Sequence, residues 1–175
     1  MLTLIEREVR AIDERLQPIA KRPVDIMKPG WVEQLKASKP LDEAGVRPEA
    51  EELLKRIVDT YASGDDVARA SIRSLFQRFS SFAWAATLPS PPTTTAGCRD
   101  HLLHFSILDQ GTDPRDATLS LDHLVHSARS AGVDIDAILI EVATLSSRED
   151  RYRWGSTADW LLRRVSKSSA PREAP

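Results

Sequence analysis

A chain of 175 residues, 41% apolar and 29% charged, is long enough to bury a sizeable core as one compact domain. Its formal charge of −2 excludes a general attraction to nucleic acid or acidic membrane, and its single cysteine, Cys98, excludes an intrachain disulfide. Leu2, Leu4 and Ile5 run straight into Glu6, Arg7, Glu8 and Arg10, which is no signal-peptide core, and the most apolar run, 82–88, falls far short of the roughly 20 residues of a membrane helix. Arginine well in excess of lysine, with frequent Ala and Asp, suggests a GC-rich bacterial genome. The expectation is a bacterial protein of the cytoplasm.

Leu2, Ile5, Val9, Ile12, Leu16 and Ile19 step by three and four, one apolar stripe on a first helix that Pro18 should end near Gln17. Residues 21–29 read as an irregular crossing, followed by a short helix over 31–37 with Trp31 and Leu35 on one face. Residues 39–47, carrying Pro40 and Gly45, read as a second connection. Pro48 then opens a helix with Glu49, Glu51 and Glu52 at the positive end of its dipole, Leu54, Ile57, Val58 and Tyr61 on its buried face, and Gly64 as its stop. Asp65 or Asp66 caps the next helix, whose inward set is Val67, Ile72, Leu75, Phe76, Phe79 and Phe82. Two helices joined by so short a turn form an antiparallel αα-hairpin.

The run 88–95, rich in proline and threonine, reads as an exposed loop within a single domain. Beyond it, a helix over about 95–109 carries Cys98, Leu102, Phe105 and Leu108, and Gln110, Gly111 and Thr112 turn the chain. Asp113 caps a helix that opens on Pro114, buries Ala117, Leu121, Leu124, Val125 and Ala128, and stops at a left-handed Gly132. Asp134 caps the following helix, with Val133 and Ile138 placed as a hydrophobic staple. Ile135, Ile138, Leu139, Ile140, Val142 and Leu145 make that helix apolar on most sides, the pattern of a central element. A polar loop over 146–155 leads to a last helix capped by Ser156 or Thr157 and carrying Trp160, Leu161 and Val165. No stretch has a strand pattern. The fold expected is all-α, an irregular antiparallel bundle of about six to eight helices built from αα-hairpins, with HEAT-like stacking of the hairpins as the alternative. It should form one domain over 1–166 with a disordered polar tail over 167–175.

All four histidines lie in two similar pentads, Asp100-His101-Leu102-Leu103-His104 and Asp122-His123-Leu124-Val125-His126. Imidazoles on adjacent antiparallel helices with carboxylates beside them are the donor set of zinc or iron, so a metal-dependent enzyme using His101, His104 and Asp100, with His123, is one alternative. The helical wheel opposes it: His123 and His126 lie nearly opposite Leu121, Leu124 and Ala128 and should face outward. The expectation is therefore no metal and no other cofactor. Cys98 and His101, three apart, could pair as thiol and imidazole, but Cys98 sits on the apolar stripe where a small core residue belongs. Asp109, Asp113, Asp116 and Asp122 lack the spacing of a calcium loop. Gly155, Ser156 and Thr157 lack the strand and lysine of a phosphate loop.

The C-terminal stretch, with Arg148, Arg151, Tyr152, Arg153, Trp154, Arg163, Arg164 and Lys167, is basic and aromatic on a mildly acidic chain. Arginine beside Trp or Tyr suits interface hot spots and base stacking alike. The overall charge lacks the footprint of a nucleic-acid binder, so RNA binding through these arginines is the lesser alternative. The leading expectation is a non-enzymatic protein-binding module, such as an immunity protein or small adaptor. Its expected contact residues are Arg151, Tyr152, Arg153, Trp154, His123 and His126, and the partner is another protein, with no membrane involved.

Overall fold

A computed structural model describes residues 2–21, 38–89, 92–108, 114–145, 161 and 163, with side chains for all of these except 38, 39 and 114–120. Among the described residues there are eight α-helices and no strand, an all-α bundle assembled from short-linked helices. The chain divides into two compact units, Met1–Pro89 and Ser90–Pro175, within the Pro/Thr loop expected from the sequence.

In the first unit, α1 (Leu2–Ala20) buries Ile5, Val9, Ile12 and Leu16, the stripe its spacing foretold. It does not end at Gln17. Pro18 lies inside its last turn, where the missing N–H removes one hydrogen bond while the Lys21 N–H still reaches the Gln17 carbonyl at 3.0 Å. The stretch read as a connection holds a short helix, α2 (Ser38–Glu43). Pro40 falls in its first turn, where no N–H has an intrahelical partner, so the proline breaks nothing. Gly45 then takes φ 63°, and the Val46 N–H bonds back to the Leu41 carbonyl at 2.9 Å. This is a Schellman stop, with Leu41 and Val46 both buried.

Helices α3 (Arg47–Ser63) and α4 (Asp66–Arg78) pack against each other and against α1. Pro48 occupies the first turn of α3, and Leu53, Leu54, Ile57, Val58 and Tyr61 are buried. Gly64 stops α3 for want of room, not for its φ of −77°: a Cβ there would stand 2.8 Å from the Thr60 carbonyl oxygen and 2.9 Å from the Ala68 Cβ. Asp65 caps α4, its Oδ1 accepting from the Ala68 N–H at 2.8 Å. The α4 helix buries Ile72, Leu75 and Phe76 but not Val67, which is 74% exposed. At 100° per residue Val67 stands about 180° from Phe76, so the inward placement expected for it was geometrically inconsistent with that of Phe76. The helix also breaks at Phe79 (φ −112°, ψ 66°), which leaves Phe82 to a separate helix, α5 (Ser80–Ala85). Phe82 is fully buried and meets Phe76 edge to face at 5.7 Å.

In the second unit, α6 (Thr95–Leu108), α7 (Pro114–Ser130) and α8 (Ile135–Thr144) pack on one another. Thr94 opens α6 by accepting from the Gly97 N–H at 3.1 Å. The buried face of α6 runs through Cys98, Leu102, Leu103, Ser106 and Ile107, whereas Phe105 and Leu108 are half-buried, a rotation from the stripe expected. Leu121, Leu124, Val125 and Ala128 are buried on α7, and Gly132 is its left-handed stop at φ 78°. Asp134 precedes α8 but makes no side-chain cap. Its ψ is 83°, against −179° at the capping Asp65, so its backbone lacks the extended conformation of a cap. Ile135, Ile138, Leu139, Val142 and Ala143 are buried, while Ile140 is 51% exposed, so α8 is one-sided and not wrapped all round. The turn 110–112, the Asp113 cap, the helix over 31–37 and the tail lie outside the described residues. Of the last predicted helix, Leu161 is helical and buried and Arg163 helical and exposed.

Candidate functional site

The histidine pentads are separated by the way their helices bury. On α7, His123 and His126 are exposed, opposite the buried Leu121, Leu124, Val125 and Ala128, as the wheel required. On α6, His101 and His104 are half-buried. The His104 Nε2 is shielded from solvent, and burial, with the neighbouring His101 adding, pushes its pKa down to about 4. His104 is therefore neutral at pH 7. Among the described residues no three His, Cys, Asp or Glu side chains converge as metal ligands, so Asp100, His101, His104 and His123 are not gathered into one site.

Cys98 is fully buried, and its thiol donates to the Pro92 carbonyl at 3.1 Å. Burial raises its pKa, which disfavours the thiolate a nucleophile needs. The small-core-residue reading fits this environment better than a dyad with His101. Arg151, Tyr152, Arg153 and Trp154 lie outside the described residues.

The feature the sequence reading missed is in the first unit. Leu2, Thr3 and Glu6 of α1 and Asp66, Val67, Ala70, Ser71, Ser74, Leu75 and Arg78 of α4 line an open groove of about 670 Å³. Its uncovered apolar wall is Val67, and Leu75, 3% exposed, forms part of its floor. The small side chains of Ala70, Ser71 and Ser74 leave the depression unfilled. One end of the groove is closed electrostatically. Arg78 pairs with Glu6 at 2.9 Å, Arg10 reaches the same carboxylate at 3.4 Å, and both guanidinium groups stand over the Phe79 ring at 5.5 and 5.8 Å. Arg78 first, then Arg10, holds the Glu6 carboxyl below its ordinary pKa, so it stays ionised. The other end is acidic, with Asp65 and Asp66 both exposed.

Two carboxylate–guanidinium contacts, Glu8 with Arg56 and Arg15 with Glu49, cross a smaller groove of about 350 Å³ between α1 and α3. Arg15 also donates to the Ala44 carbonyl at 2.9 Å, and so satisfies the C-terminal end of α2. Two positions earlier, the buried Asp13 accepts from the Phe82 N–H at 2.7 Å and from Gln17 at 2.9 Å, capping α5 from another helix. The charges of α1 thus go mostly into architecture, and the larger groove stands open among the described residues of the first unit. The sequence signal for it was on α4, where a valine and three small residues lie off the Ile72–Leu75–Phe76 stripe.

The chain matches no protein family, no curated protein and no solved structure.

Proposed function

We propose that the chain is a non-enzymatic protein-binding module of the bacterial cytoplasm, working as an immunity protein or small adaptor does. The observation that carries this reading is the groove between α1 and α4: an open apolar trough with Val67 74% exposed on its wall and fixed charges at its two ends. An exposed apolar groove rimmed by charge is the usual form of a site that receives a helix or loop of another protein. His123 and His126, both exposed, and Arg151, Tyr152, Arg153 and Trp154 are proposed as further contact residues. That no helix among the described residues is long and apolar enough to cross a membrane agrees with a partner met in solution.

The test is affinity capture from the host lysate with the wild-type chain, with Val67→Glu, and with Arg151, Arg153 and Trp154 replaced together by alanine. A polypeptide held at fixed stoichiometry and lost with Val67→Glu supports the groove. Loss only with the triple alanine variant moves the contact to the C-terminal segment, and a chain that holds no polypeptide contradicts the reading.

A further inference from the structure

We infer that the α1/α4 groove receives an amphipathic helix of another protein, acidic at its N-terminus, basic at its C-terminus and running against α4. The inference rests on the protein-binding reading above and names the chemistry of the partner. The α4 side chains that line the groove fall into two neighbouring rows of spacing four. One is Asp66, Ala70, Ser74 and Arg78, and the other is Val67, Ser71 and Leu75. Rows of that spacing are the ridges by which helices most commonly interlock, one helix laying its own ridge into the furrow between two ridges of the other. Ala70, Ser71 and Ser74 keep both ridges low, which lets a second helix backbone come close. Leu2, Thr3 and Glu6 of α1 form the far bank. An extended segment has nothing to pair with here, because no strand edge exists among the described residues.

The furrow is oblique, since each step along a row turns about 40° round α4. It therefore carries a guest past both Asp66 and Arg78, which stand about 18 Å apart along the axis and about 120° apart around it. The two ends present opposite charge. At one, the Asp66 side chain is 84% exposed while its partner Arg69 is only 14% exposed, so the carboxylate is what the surface shows, and Asp65 beside it is exposed as well. At the other, Arg10 and Arg78 share the carboxylate of Glu6, and both arginines are more exposed than it is. A complementary ridge has a basic residue over Asp66, an acidic one over Arg78 and apolar residues between them to cover Val67. Acidic side chains stabilise a helix at its N-terminus and basic ones at its C-terminus. The guest's N-terminus accordingly lies at Arg78, and it crosses α4 in the opposite sense at about 50°.

The probes are three lactam-stapled, alanine-rich helical peptides of about 20 residues, long enough to hold a helix. The matched peptide carries Glu near its N-terminus, Leu at the next two positions of the same four-residue row and Lys at the one after. The other two carry Glu at both ends or Lys at both ends, and so match the groove in neither direction. Titration into the full chain is followed by amide chemical shifts, which detect dissociation constants as weak as about 1 mM. The matched peptide should bind and shift the amides of 66–78, with the other two at least about tenfold weaker. Val67→Glu should remove its binding. That substitution sits at an exposed position in the first turn of α4, where an acidic residue suits the helix, so the fold survives it. Asp66→Lys should weaken the matched peptide and favour the one with Glu at both ends. A nitroxide on the matched peptide's N-terminus should broaden amides near Arg78. No binding, equal binding of the three peptides, indifference to Val67→Glu, or broadening at the Asp66 end instead overturns the inference. A chain that fails here yet holds a Val67-dependent lysate protein loses only this helix as occupant. One that also holds nothing loses the protein-binding reading as well.

Discussion

The two units hold their helices in different ways. In the first, α1 acts as a polar clasp: Asp13 caps the N-terminus of α5, Arg15 binds the C-terminal carbonyl of α2, and Glu6 and Glu8 pair with Arg78 on α4 and Arg56 on α3. In the second, Arg99 pairs with Glu141 and Arg129 with Asp136 at the surface. Exposed pairs of that kind contribute little, while α6, α7 and α8 bury apolar faces against one another. The six-residue helices of the first unit show why the difference arises. A helix of fewer than two turns cannot sustain itself, and its unsatisfied end groups must be met by another element.

The largest effect expected from breaking this contrast is at Asp13. Asp13→Ala leaves the buried Phe82 N–H without its acceptor and should cost about 2–3 kcal/mol in urea unfolding. Amide exchange should accelerate first across α5. Asp13→Asn, which keeps an acceptor, should recover most of the loss. An equal loss for both variants would show that the side chain matters for its charge and not for its hydrogen bond.

Acid should separate the units next. His104 titrates near 4 in the folded chain against an ordinary value of 6.5, so between these limits the unfolded state binds more protons than the folded one. Stability is therefore fully present above pH 6.5 and falls as the pH drops towards 4, by about 3 kcal/mol. His104→Gln should flatten that slope. In the first unit the depressed carboxyls are Glu6, held by Arg78 and Arg10, and Asp42, held by Arg47. What they contribute is present above their ordinary values of 4.5 and 3.8 and is lost only as the pH falls below them. Tryptophan fluorescence and amide exchange followed against pH should show the second unit loosening first.

Glycine substitutions give a smaller contrast. Gly64→Ala forces a Cβ against a backbone carbonyl and should cost about 1–2 kcal/mol. Gly132→Ala meets open space but keeps a φ of 78°, and should cost about 1 kcal/mol. Thermal melts of the two variants would rank steric crowding against left-handed strain. Smallest is Arg15→Ala, expected to cost about 0.5–1 kcal/mol through the end of α2, since the arginine is half exposed.

Long helices were legible from the residues because their periodicity is their own. The α1 stripe, the Pro48 and Pro114 openings, the Asp65 cap and the Gly132 stop are local signals, and the structure has them where the sequence put them. What escaped was set by another part of the chain. Helix α2 survives Pro40 because the proline falls in its first turn and Arg15 meets its far end, and the break before Phe82 is held by Asp13 from α1. The candidate groove was hidden by a single misplaced residue, since Val67 read as core conceals the uncovered face of α4. His123 and His126 were legible as outward because the α7 stripe is unambiguous. The shielding of His104 was not, because α6 buries Leu102 with Leu103 and Ser106 with Ile107, a face shifted from the one its sequence suggested.

Native mass spectrometry of the chain, gently purified from its host without added metal, tests the central claim most directly. A second polypeptide bound at fixed stoichiometry and released by Val67→Glu is the result this account predicts. The mass of a single bare chain, or a single chain with an excess matching zinc or iron that chelation removes, would contradict it.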